Sequence, residues 1–371
     1  MNEYLNIIAA GRTLTREEAE RALHLIMRGE SEAEETAGFL LGLRARGESL
    51  DELVGFTKAM REHAVSVDAD DQHAIDLCGT GGDASGTFNI STAAALVCAG
   101  AGATVAKHGN RSVSSACGSA DVLESLGVCV ELRKEGVEHC LREAGIAFIF
   151  APFFHPAMKH VMPVRRKLGV RTFFNILGPL CNPAGVRRQL VGAFDVDTAR
   201  TMARILAELD AEHIVTVHAE DGLDEISLSS STTLFEYHQT ESRNGRGASV
   251  TGASVTDASV TDGSDSDELM FGDGVRITPE RFGMVRTSVE HLQGGSAEDN
   301  ARILASILHG ETGPRRDVVV LNSAFALHVS GRFGALEDCL ATARESIDSG
   351  AAQRCLDILI KSSNEVVSES A

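Results

Sequence analysis

Asp76-Leu-Cys-Gly-Thr-Gly-Gly-Asp83 is the stretch that decides the fold, and three further polar stretches follow it closely. They are Asn89-Ile-Ser-Thr92, Lys107-His-Gly-Asn-Arg-Ser-Val-Ser-Ser115 and Gly118-Ser-Ala-Asp121. Glycines let backbone N–H groups approach an anion closely, and small hydroxyl residues add donors without bulk. A lysine, a histidine and an arginine in the third stretch supply positive charge. The region therefore predicts a phosphate-binding surface.

Apolar runs alternate with helical patterns along most of the chain. Strands are predicted at 74–78, 103–106, 128–132, 146–150, 189–194 and 213–218, and helices near 91–100, 119–126, 134–143 and 197–209. Such alternation is typical of an α/β fold, and it predicts a mostly parallel central sheet flanked by helices. Ligands of such sheets bind at the carboxyl ends of the strands.

A smaller all-helical unit is predicted at the N-terminus. Three capping boxes mark successive helix starts there, formed by Thr15 with Glu18, Ser31 with Glu34, and Ser49 with Glu52. Helical pieces at 155–187 are expected to pack back on this unit. We therefore predict a small α-helical domain of residues 1–66 plus about 155–187, and a large α/β domain of residues 67–154 plus 188–371.

Residues 241–267 interrupt the pattern with a repeated Ala-Ser-Val-Thr motif rich in small and acidic neighbours. Such a segment buries too little apolar surface to offset the entropy of ordering it. We predict a flexible low-complexity insertion between strands at 232–238 and about 268–277, with a hairpin extension as the alternative. Farther on, the patterns predict helices at 297–308, 323–329 and 336–346, a buried strand at 317–321, and fraying from about residue 362.

Composition excludes several classes of protein. The chain of 371 residues is 43% hydrophobic and contains no run of about 18 apolar residues. Its N-terminus has no basic segment before an apolar stretch, so we expect no secretory signal and a cytoplasmic protein. The eight cysteines are scattered singly, which argues against a zinc site or a disulfide framework.

The formal net charge of −19 opposes binding to nucleic acid or to an anionic membrane, because both need basic surfaces. Only six of the 34 basic residues are lysines. An acid excess with little lysine indicates a surface adapted to high salt, as in a halophilic organism, with an ordinary acidic cytosolic protein as the alternative.

Salt should therefore stabilise the fold. At about 1 M salt the Debye length falls to roughly 3 Å, so repulsion between surface carboxylates is screened. We expect the midpoint of thermal unfolding to rise steadily from dilute buffer to molar KCl. Differential scanning calorimetry measures this midpoint, and a value as high in dilute buffer as in molar KCl would exclude salt adaptation.

Two familiar glycine loops fit the first stretch poorly. Gly79-x-Gly81-x-x-Ala84 satisfies a loose dinucleotide-binding pattern. That pattern requires a helix that begins within the glycines and an acidic residue about 20 residues later. Here the next predicted helix begins only near Ser91, and the acidic residue is missing. A Walker loop needs a lysine where Thr87 stands. A lone glycine loop is usually a tight turn, and the basic stretch after the next strand is what favours a ligand site.

Together the four stretches resemble the anthranilate phosphoribosyltransferase family. The resemblance continues through His155-Pro156, Asn175 to Pro183, Asp221 to Ser227 and Gly294-Gly295, and it covers nearly all of the chain except 241–267. It implies transfer of the 5-phosphoribosyl group of phosphoribosyl pyrophosphate (PRPP) to the amine of anthranilate, in tryptophan biosynthesis. It also implies a homodimer formed through the N-terminal helices, and Mg²⁺ as cofactor with two ions per subunit.

The resemblance assigns the family's binding residues to matching positions. Contacts to PRPP are implied for Gly79, Gly82, Asp83, Thr87, Asn89, Ile90, Ser91, Thr92, Lys107, His108, Gly109, Asn110, Arg111, Ser112, Val113, Ser114, Ser115 and Ser119. Contacts to anthranilate are implied for Gly79, Asn110 and Arg165, and metal ligation for Ser91, Asp224 and Glu225. An aryl amine is neutral at pH 7, so neither a covalent nucleophile nor an obligatory general base is assigned. The expected partners are the small-molecule substrates, with no nucleic acid and no membrane.

Simpler interpretations stay open for some of these residues. The Asp224-Glu225 pair could be an exposed acidic turn, and Arg165 could be a solvated helix cation beside Arg166 and Lys167. The loop serines could serve only as caps. Two other functions are alternatives: a non-catalytic, nucleic-acid-binding relative of the fold, and a pyrimidine nucleoside phosphorylase, whose loop continues differently where Gly109-Asn110-Arg111 stands here.

Overall fold

Four helices open the chain in the computed structural model, which describes residues 1–82, 85–112, 117–240, 247–249 and 272–369. They are α1 (Asn2–Ala9), α2 (Arg16–Met27), α3 (Ala33–Arg46) and α4 (Leu50–Glu62). Two predicted capping boxes are confirmed, since Glu18 N donates to Thr15 Oγ1 and Glu52 N to Ser49 Oγ. The box predicted at Ser31 with Glu34 is wrong. Helix α3 begins one residue later, and Glu32 N donates to Glu35 Oε2 at 3.1 Å.

The described residues form one eight-stranded sheet in the order β3-β2-β1-β4-β5-β6-β7, with β8 beside β6. Its strands are β1 (Ile75–Gly79), β2 (Val105–Gly109), β3 (Ile146–Phe150), β4 (Arg188–Gly192), β5 (His213–Ala219), β6 (Thr232–Thr240), β7 (Gly247–Ser249) and β8 (Val275–Ile277). Strands β1 to β5 are parallel, and β6 pairs antiparallel with β5, β7 and β8. The prediction of a mostly parallel sheet is confirmed.

Further helices follow in the described residues, and several of them pack on the strands, as predicted. They are α5 (Ile90–Gly100), α6 (Ser119–Ser125), α7 (Lys134–Ala144), α8 (Ala151–Phe154), α9 (Met162–Leu168), α10 (Phe174–Leu177), α11 (Val196–Glu208), α12 (Ala297–Leu308), α13 (Pro314–Ser330), α14 (Leu336–Asp348) and α15 (Ala351–Glu369). None of the helices in the described ranges has the length and apolar character that a bilayer span requires.

The strand predicted at 128–132 is wrong. Val128, Val130 and Leu132 are buried, so the alternation that suggested a strand reflects real burial. No strand in the described parts of the chain pairs with this backbone, and Cys129 N donates instead to the side chain of Ser363 at 3.1 Å. Alternating burial predicts a strand only when a second strand lies alongside.

Two predictions near the C-terminus are also wrong. Residues 317–321 lie inside helix α13, which is buried on nearly all sides, and a continuous apolar run does not distinguish a buried helix from a buried strand. Pro314 at its start and Gly331 after its end are the signals that favour a helix. The fraying predicted from residue 362 is replaced by helix α15, whose Ser362 and Ser363 are buried.

The segment before β4 packs against the N-terminal helices. The ring of Phe173 stacks on that of Phe56 with centroids 4.3 Å apart, and Arg61 Nε donates to Leu180 O at 2.8 Å. This apolar cluster continues onto one face of the sheet through Val191 and Ile214. The predicted division into two domains stays a prediction, with which these contacts agree. The predicted insertion at 241–267 lies outside the described residues except for β7, and within 272–277 a strand forms only from Val275.

Candidate active site

The predicted phosphate-binding surface lies at the carboxyl edge of the sheet. Strands β1 and β5 are parallel to β4 on either side of it, so the loops that follow β1 and β5 emerge at the same edge. Gly81 N donates to Asp224 Oδ2 at 2.9 Å, and Ser91 N donates to Glu225 Oε1 at 3.1 Å. The acidic pair is therefore half-buried against the glycine loop and the start of α5, and the interpretation as an exposed acidic turn is wrong.

Two glycines make this approach possible. A Cβ added at Gly79 would lie 2.5 Å from Asp224 Oδ2, and one added at Gly192, at the end of β4, would lie 1.6 Å from Asp224 O. Real Cβ atoms do not come this close to other atoms. Glycine is required at Gly192 because the backbone of the Asp224 loop crosses directly over the end of β4, whereas a side chain at Gly79 would displace the Asp224 carboxylate.

Helix α5 begins in this site. Ile90 and Thr92 are buried beneath its first turn, and Ser91 lies at the edge of the site with its hydroxyl 3.4 Å from Lys107 Nζ. Upstream, Asn300 Nδ2 donates to Asn89 Oδ1 at 3.0 Å, which fixes the residue before the helix. The N–H groups of a helix N-terminus attract anions, so α5 adds to the positive potential of the glycine loop.

Lys107 is almost fully buried between the strands. Its ammonium group donates to Leu77 O at 2.5 Å, and the buried carboxylate of Asp76 lies close enough to interact with its charge. Asp76 in turn accepts from His108 N at 3.2 Å and from Asn182 Nδ2 at 2.7 Å. Burial raises the pKa of Asp76 to about 6, against the opposing effect of the Lys107 charge. Sequence reasoning did not assign Asp76 or Asn182 to the site.

Two buried histidines line the same region. The rings of His108 and His155 lie 5.1 Å apart, and burial lowers the pKa of both, that of His155 to about 4. Both rings are therefore neutral at pH 7. In the described residues both Nε2 atoms are buried and neither has a hydrogen-bond partner.

Arg111 is tied to acidic side chains. Its guanidinium pairs with Glu124, with Glu131 at 3.1 Å and with Asp121 at 3.4 Å, and these carboxylates raise its pKa. Asp121 Oδ2 also accepts from the backbone N–H of Ser112 at 3.1 Å. The charge of Arg111 thus stabilises the loop between β2 and α6, and its predicted contact with PRPP stays a prediction.

The described residues at the two ends of the loop between β2 and α6 are held by local contacts. Asn110 Oδ1 accepts from Arg111 N at 2.8 Å, Ser119 opens α6, and a Cβ at Gly109 would lie 2.7 Å from the ring of Phe148. Thr87 forms an antiparallel bridge with Gln293, which ties the end of the first glycine loop to the chain near Gly294. Four predicted contact residues, Asp83, Val113, Ser114 and Ser115, lie outside the described residues.

Arg165 differs from its basic neighbours on α9. Its guanidinium lies over the ring of Phe174 at 5.2 Å and 3.5 Å from Asn175 Oδ1, and burial lowers its pKa. Arg166 and Lys167 are exposed. A partly desolvated guanidinium held by a ring and an amide is preorganised for a carboxylate, so Arg165 is not a solvated helix cation.

One further residue was missed by sequence reasoning. Arg171 Nη2 donates to Gly82 O at 3.2 Å, and its guanidinium lies over the ring of Phe194 at 4.9 Å. It therefore connects the segment that carries Arg165 to the glycine loop. A lone arginine among several basic residues of 155–187 gives no signal of such a contact.

Two sequence profiles of known families match the chain. The profile of a glycosyl transferase family, α/β domain, matches residues 71–260 and 253–353, and the profile of a glycosyl transferase family, helical bundle domain, matches residues 2–64. These matches cover most of the chain. They agree with the mostly parallel sheet and the N-terminal helices, and they define the class as a glycosyl transferase with a helical bundle.

Relatives of nearly the same length narrow this class. The anthranilate phosphoribosyltransferase of Salinibacter ruber is 60% identical over 370 residues, which covers 100% of both chains, and that of Symbiobacterium thermophilum is 43% identical over 371 residues, again 100% of both. The chain belongs to the anthranilate phosphoribosyltransferase family. The crystal structure of such an enzyme from Thermus thermophilus matches with a TM-score of 0.83 and 37% identity, covering 97% of this chain and 99% of that one. The enzyme from Saccharomyces cerevisiae, in complex with PRPP and Mg, matches at 0.81 with 25% identity, covering 98% and 97%.

Proposed function

We propose that the chain transfers the 5-phosphoribosyl group of PRPP to the amine of anthranilate, giving N-(5-phosphoribosyl)anthranilate and pyrophosphate. The proposal rests on the hydrogen bond from Gly81 N in the glycine loop to the Asp224 carboxylate. This bond lies at the edge of the sheet where Lys107 is buried. It brings acidic groups suited to a cation beside N–H groups suited to phosphates. The full-length relatives that share the fold carry the same activity in their names.

Anthranilate fluorescence tests this activity directly. The signal should fall only when PRPP and Mg²⁺ are both added, because transfer needs the donor and the cation together. A signal that stays constant at every salt concentration would reject the proposal. Phosphate-dependent cleavage of a pyrimidine nucleoside, or retention of an oligonucleotide at physiological salt, would instead favour one of the two alternative functions.

The phosphates of PRPP would bind to the glycine loop, the start of α5 and Lys107. Gly79 and Gly82 offer backbone without a side chain, where a Cβ would meet Asp224 Oδ2 and Arg171 Nη2, and Ser91 offers a hydroxyl. The ribosyl centre passes through an oxocarbenium-like state, which needs positioning and charge complementarity more than a nucleophile. We therefore assign rate enhancement to the placement of these groups rather than to one residue.

The donor set fits a hard cation. Asp224 and Glu225 supply carboxylate oxygens and Ser91 a hydroxyl oxygen, which are the ligand types that Mg²⁺ prefers. Bound Mg²⁺ would neutralise charge on the pyrophosphate and make it a better leaving group. We propose two ions per subunit. Atomic emission of the enzyme equilibrated with PRPP counts them, and a single ion would contradict this number.

Anthranilate would lie between Arg165 and the glycine loop. Arg165 can hold its carboxylate with two parallel N–H bonds, and Asn110 and Gly79 would flank the ring. The contact between Arg171 and Gly82 joins the segment that carries Arg165 to the PRPP loop. Both substrates would thus meet in a cleft from which water is excluded when it closes.

Arg165→Ala should raise the KM for anthranilate roughly 10- to 100-fold and leave the KM for PRPP nearly unchanged, because a hydrogen bond to a charged group contributes about 1.5–3 kcal/mol. Arg165→Lys should lose most of the same affinity, since an ammonium cannot form the two parallel bonds. Steady-state kinetics with each substrate varied separately measures both constants. Arg166→Ala is the matched control, and an equal effect in that variant would rule out a specific role for Arg165.

Two further assignments remain proposals. We propose a homodimer formed through the N-terminal helices, where Leu41 on α3 is 49% exposed. Sedimentation velocity measures the mass in solution, and a monomer mass would refute the dimer.

We also propose a cytoplasmic location, consistent with the absence of a membrane-spanning helix from the described ranges. Fractionation of the source cells would test it.

A further inference from the structure

Three ionisable side chains meet in the interior, away from the proposed active site. His213 Nε2 lies 2.7 Å from Glu236 Oε1, and His328 Nε2 lies 3.2 Å from the same oxygen. His213 and Glu236 are each 3% exposed, and the side chain of His328 is 10% exposed. One potential ligand atom from each of the three lies within 4.8 Å of the other two.

Three different elements bring these residues together. His213 is the first residue of β5, and Glu236 on β6 is directly opposite Val215, two residues farther along β5. Side chains two apart on a strand share a face, so His213 and Glu236 point to the same side of the sheet. His328, near the end of α13, completes the set from the helix that packs there.

This cluster is separate from the carboxyl edge. The acidic pair Asp224 and Glu225 follows the last residue of β5, whereas His213 is the first. A strand of seven residues is about 20 Å long at roughly 3.3 Å per residue. The two groups therefore lie at opposite ends of the same strand.

We propose that His213, Glu236 and His328 bind a divalent transition-metal ion, with Zn²⁺ as the best fit. Two imidazole nitrogens and one carboxylate oxygen are a known protein ligand set for Zn²⁺. At Zn–N distances of about 2.0–2.1 Å, tetrahedral ligand atoms lie about 3.3 Å apart. The two observed separations from Glu236 Oε1, 2.7 and 3.2 Å, are both shorter than that value, so the side chains would have to move apart by a few tenths of an ångström. Water or His238, whose ring stacks on His213 at 4.5 Å, would supply the fourth ligand.

The surrounding charges permit a cation. Arg188 is the nearby positive group, and its guanidinium is engaged by Glu212 at 3.0 Å and by Val329 O at 3.0 Å. Glu236 contributes the carboxylate, and each imidazole would carry its proton on Nδ1 while Nε2 binds the ion.

The ion would stabilise the fold rather than take part in the transfer. It would join β5 and β6 to the end of α13, which lies far from both strands in sequence, since His328 follows Glu236 by 92 residues. A ligand that binds only the folded chain raises its stability by mass action. The site would thus act as a cross-link within the fold. It would lie at the end of β5 opposite to the carboxyl edge, where the substrates are proposed to bind.

Cobalt titration tests the site. The full chain is treated with chelator, saturated with Mg²⁺ and titrated with Co²⁺ in the absence of PRPP. We expect visible d–d absorption with the intensity of four-coordinate Co²⁺, saturation at one equivalent, displacement by Zn²⁺ and a higher unfolding midpoint. Absence of this absorption and of the midpoint shift would overturn the proposal, and the cluster would then be a hydrogen-bonded group only.

Variants assign the ion to these residues. His328→Gln should weaken Co²⁺ binding by about 100-fold or more, because it removes a ligand. His328→Cys should retain binding and add an intense near-ultraviolet thiolate-to-cobalt band, which a purely structural role would not produce. Asp224→Asn, the control at the carboxyl edge, should leave the absorption unchanged. Loss of the signal in Asp224→Asn, or its persistence in folded His328→Gln, would contradict the assignment. If His328→Gln does not fold, the thiolate band of His328→Cys decides.

Discussion

Asp224→Asn should lower kcat/KM for PRPP by about 1,000-fold, with little change in the free energy of unfolding. A bound cation contributes several kcal/mol of charge stabilisation in the transition state, and each 1.36 kcal/mol is a factor of ten in rate. The substitution keeps the shape of the side chain and an oxygen that can accept from Gly81 N, so the loop should stay in place. Steady-state kinetics with Mg²⁺ varied measures the loss.

The mechanism of that loss can be distinguished from loop damage. If Asp224 holds the cation, the variant should need a much higher Mg²⁺ concentration for half-maximal rate. Glu220→Gln is the matched control, because Glu220 lies on the same loop and pairs with exposed Arg276 at 2.7 Å. A rate loss without a change in Mg²⁺ requirement, or an equal loss in Glu220→Gln, would contradict metal ligation by Asp224.

Lys107→Met should raise the KM for PRPP roughly 10- to 100-fold, since a charge-assisted hydrogen bond is worth about 1.5–3 kcal/mol. An ammonium group has three N–H donors, so Lys107 can hold Leu77 O and Ser91 Oγ and still donate to a phosphate oxygen. The same change should lower the free energy of unfolding by about 3–5 kcal/mol, because buried Asp76 loses its cation. Kinetics and urea denaturation measure the two effects.

A double variant separates binding from folding. Asp76→Asn with Lys107→Met removes both buried charges, so much of the stability should return while the KM for PRPP stays high. Lys361→Met, at an exposed position on α15, controls for the loss of one positive charge from an acidic protein. Recovery of a normal KM in the double variant would show that Lys107 acts only through stability.

Sequence reasoning found the parts of the site that depend on local pattern. Glycine spacing, small hydroxyl residues and the basic stretch after the second strand predict both loops of the proposed anion surface, because backbone access to an anion depends on adjacent residue types. It missed Asp76, Asn182 and Arg171, whose roles depend on partners far along the chain. Asn182 reaches Asp76 across 106 residues, and Arg171 reaches Gly82 across 89.

The errors in the predicted secondary structure also arise because the deciding contacts are made with distant parts of the chain. Residues 128–132 and 317–321 were interpreted as strands because their apolar side chains are buried, and burial is a property that strands and helices share. The hydrogen-bond partners of the backbone distinguish the two structures. Cys129 N donates to a serine side chain, and residues 317–321 continue a helix that starts at Pro314.

The sequence by itself determined the class of fold and the family, and it predicts the two loops of the proposed anion surface, because these depend on residue types at short spacing. Tertiary structure alone decided that Asp224 reaches Gly81 across 143 residues, that Arg165 is partly desolvated beside Phe174, and that His213 and His328 converge on Glu236. The physical reason is that charge, burial and metal affinity depend on distance in space. The packing of the sheet and helices brings distant side chains together, and a local sequence pattern does not predict which ones.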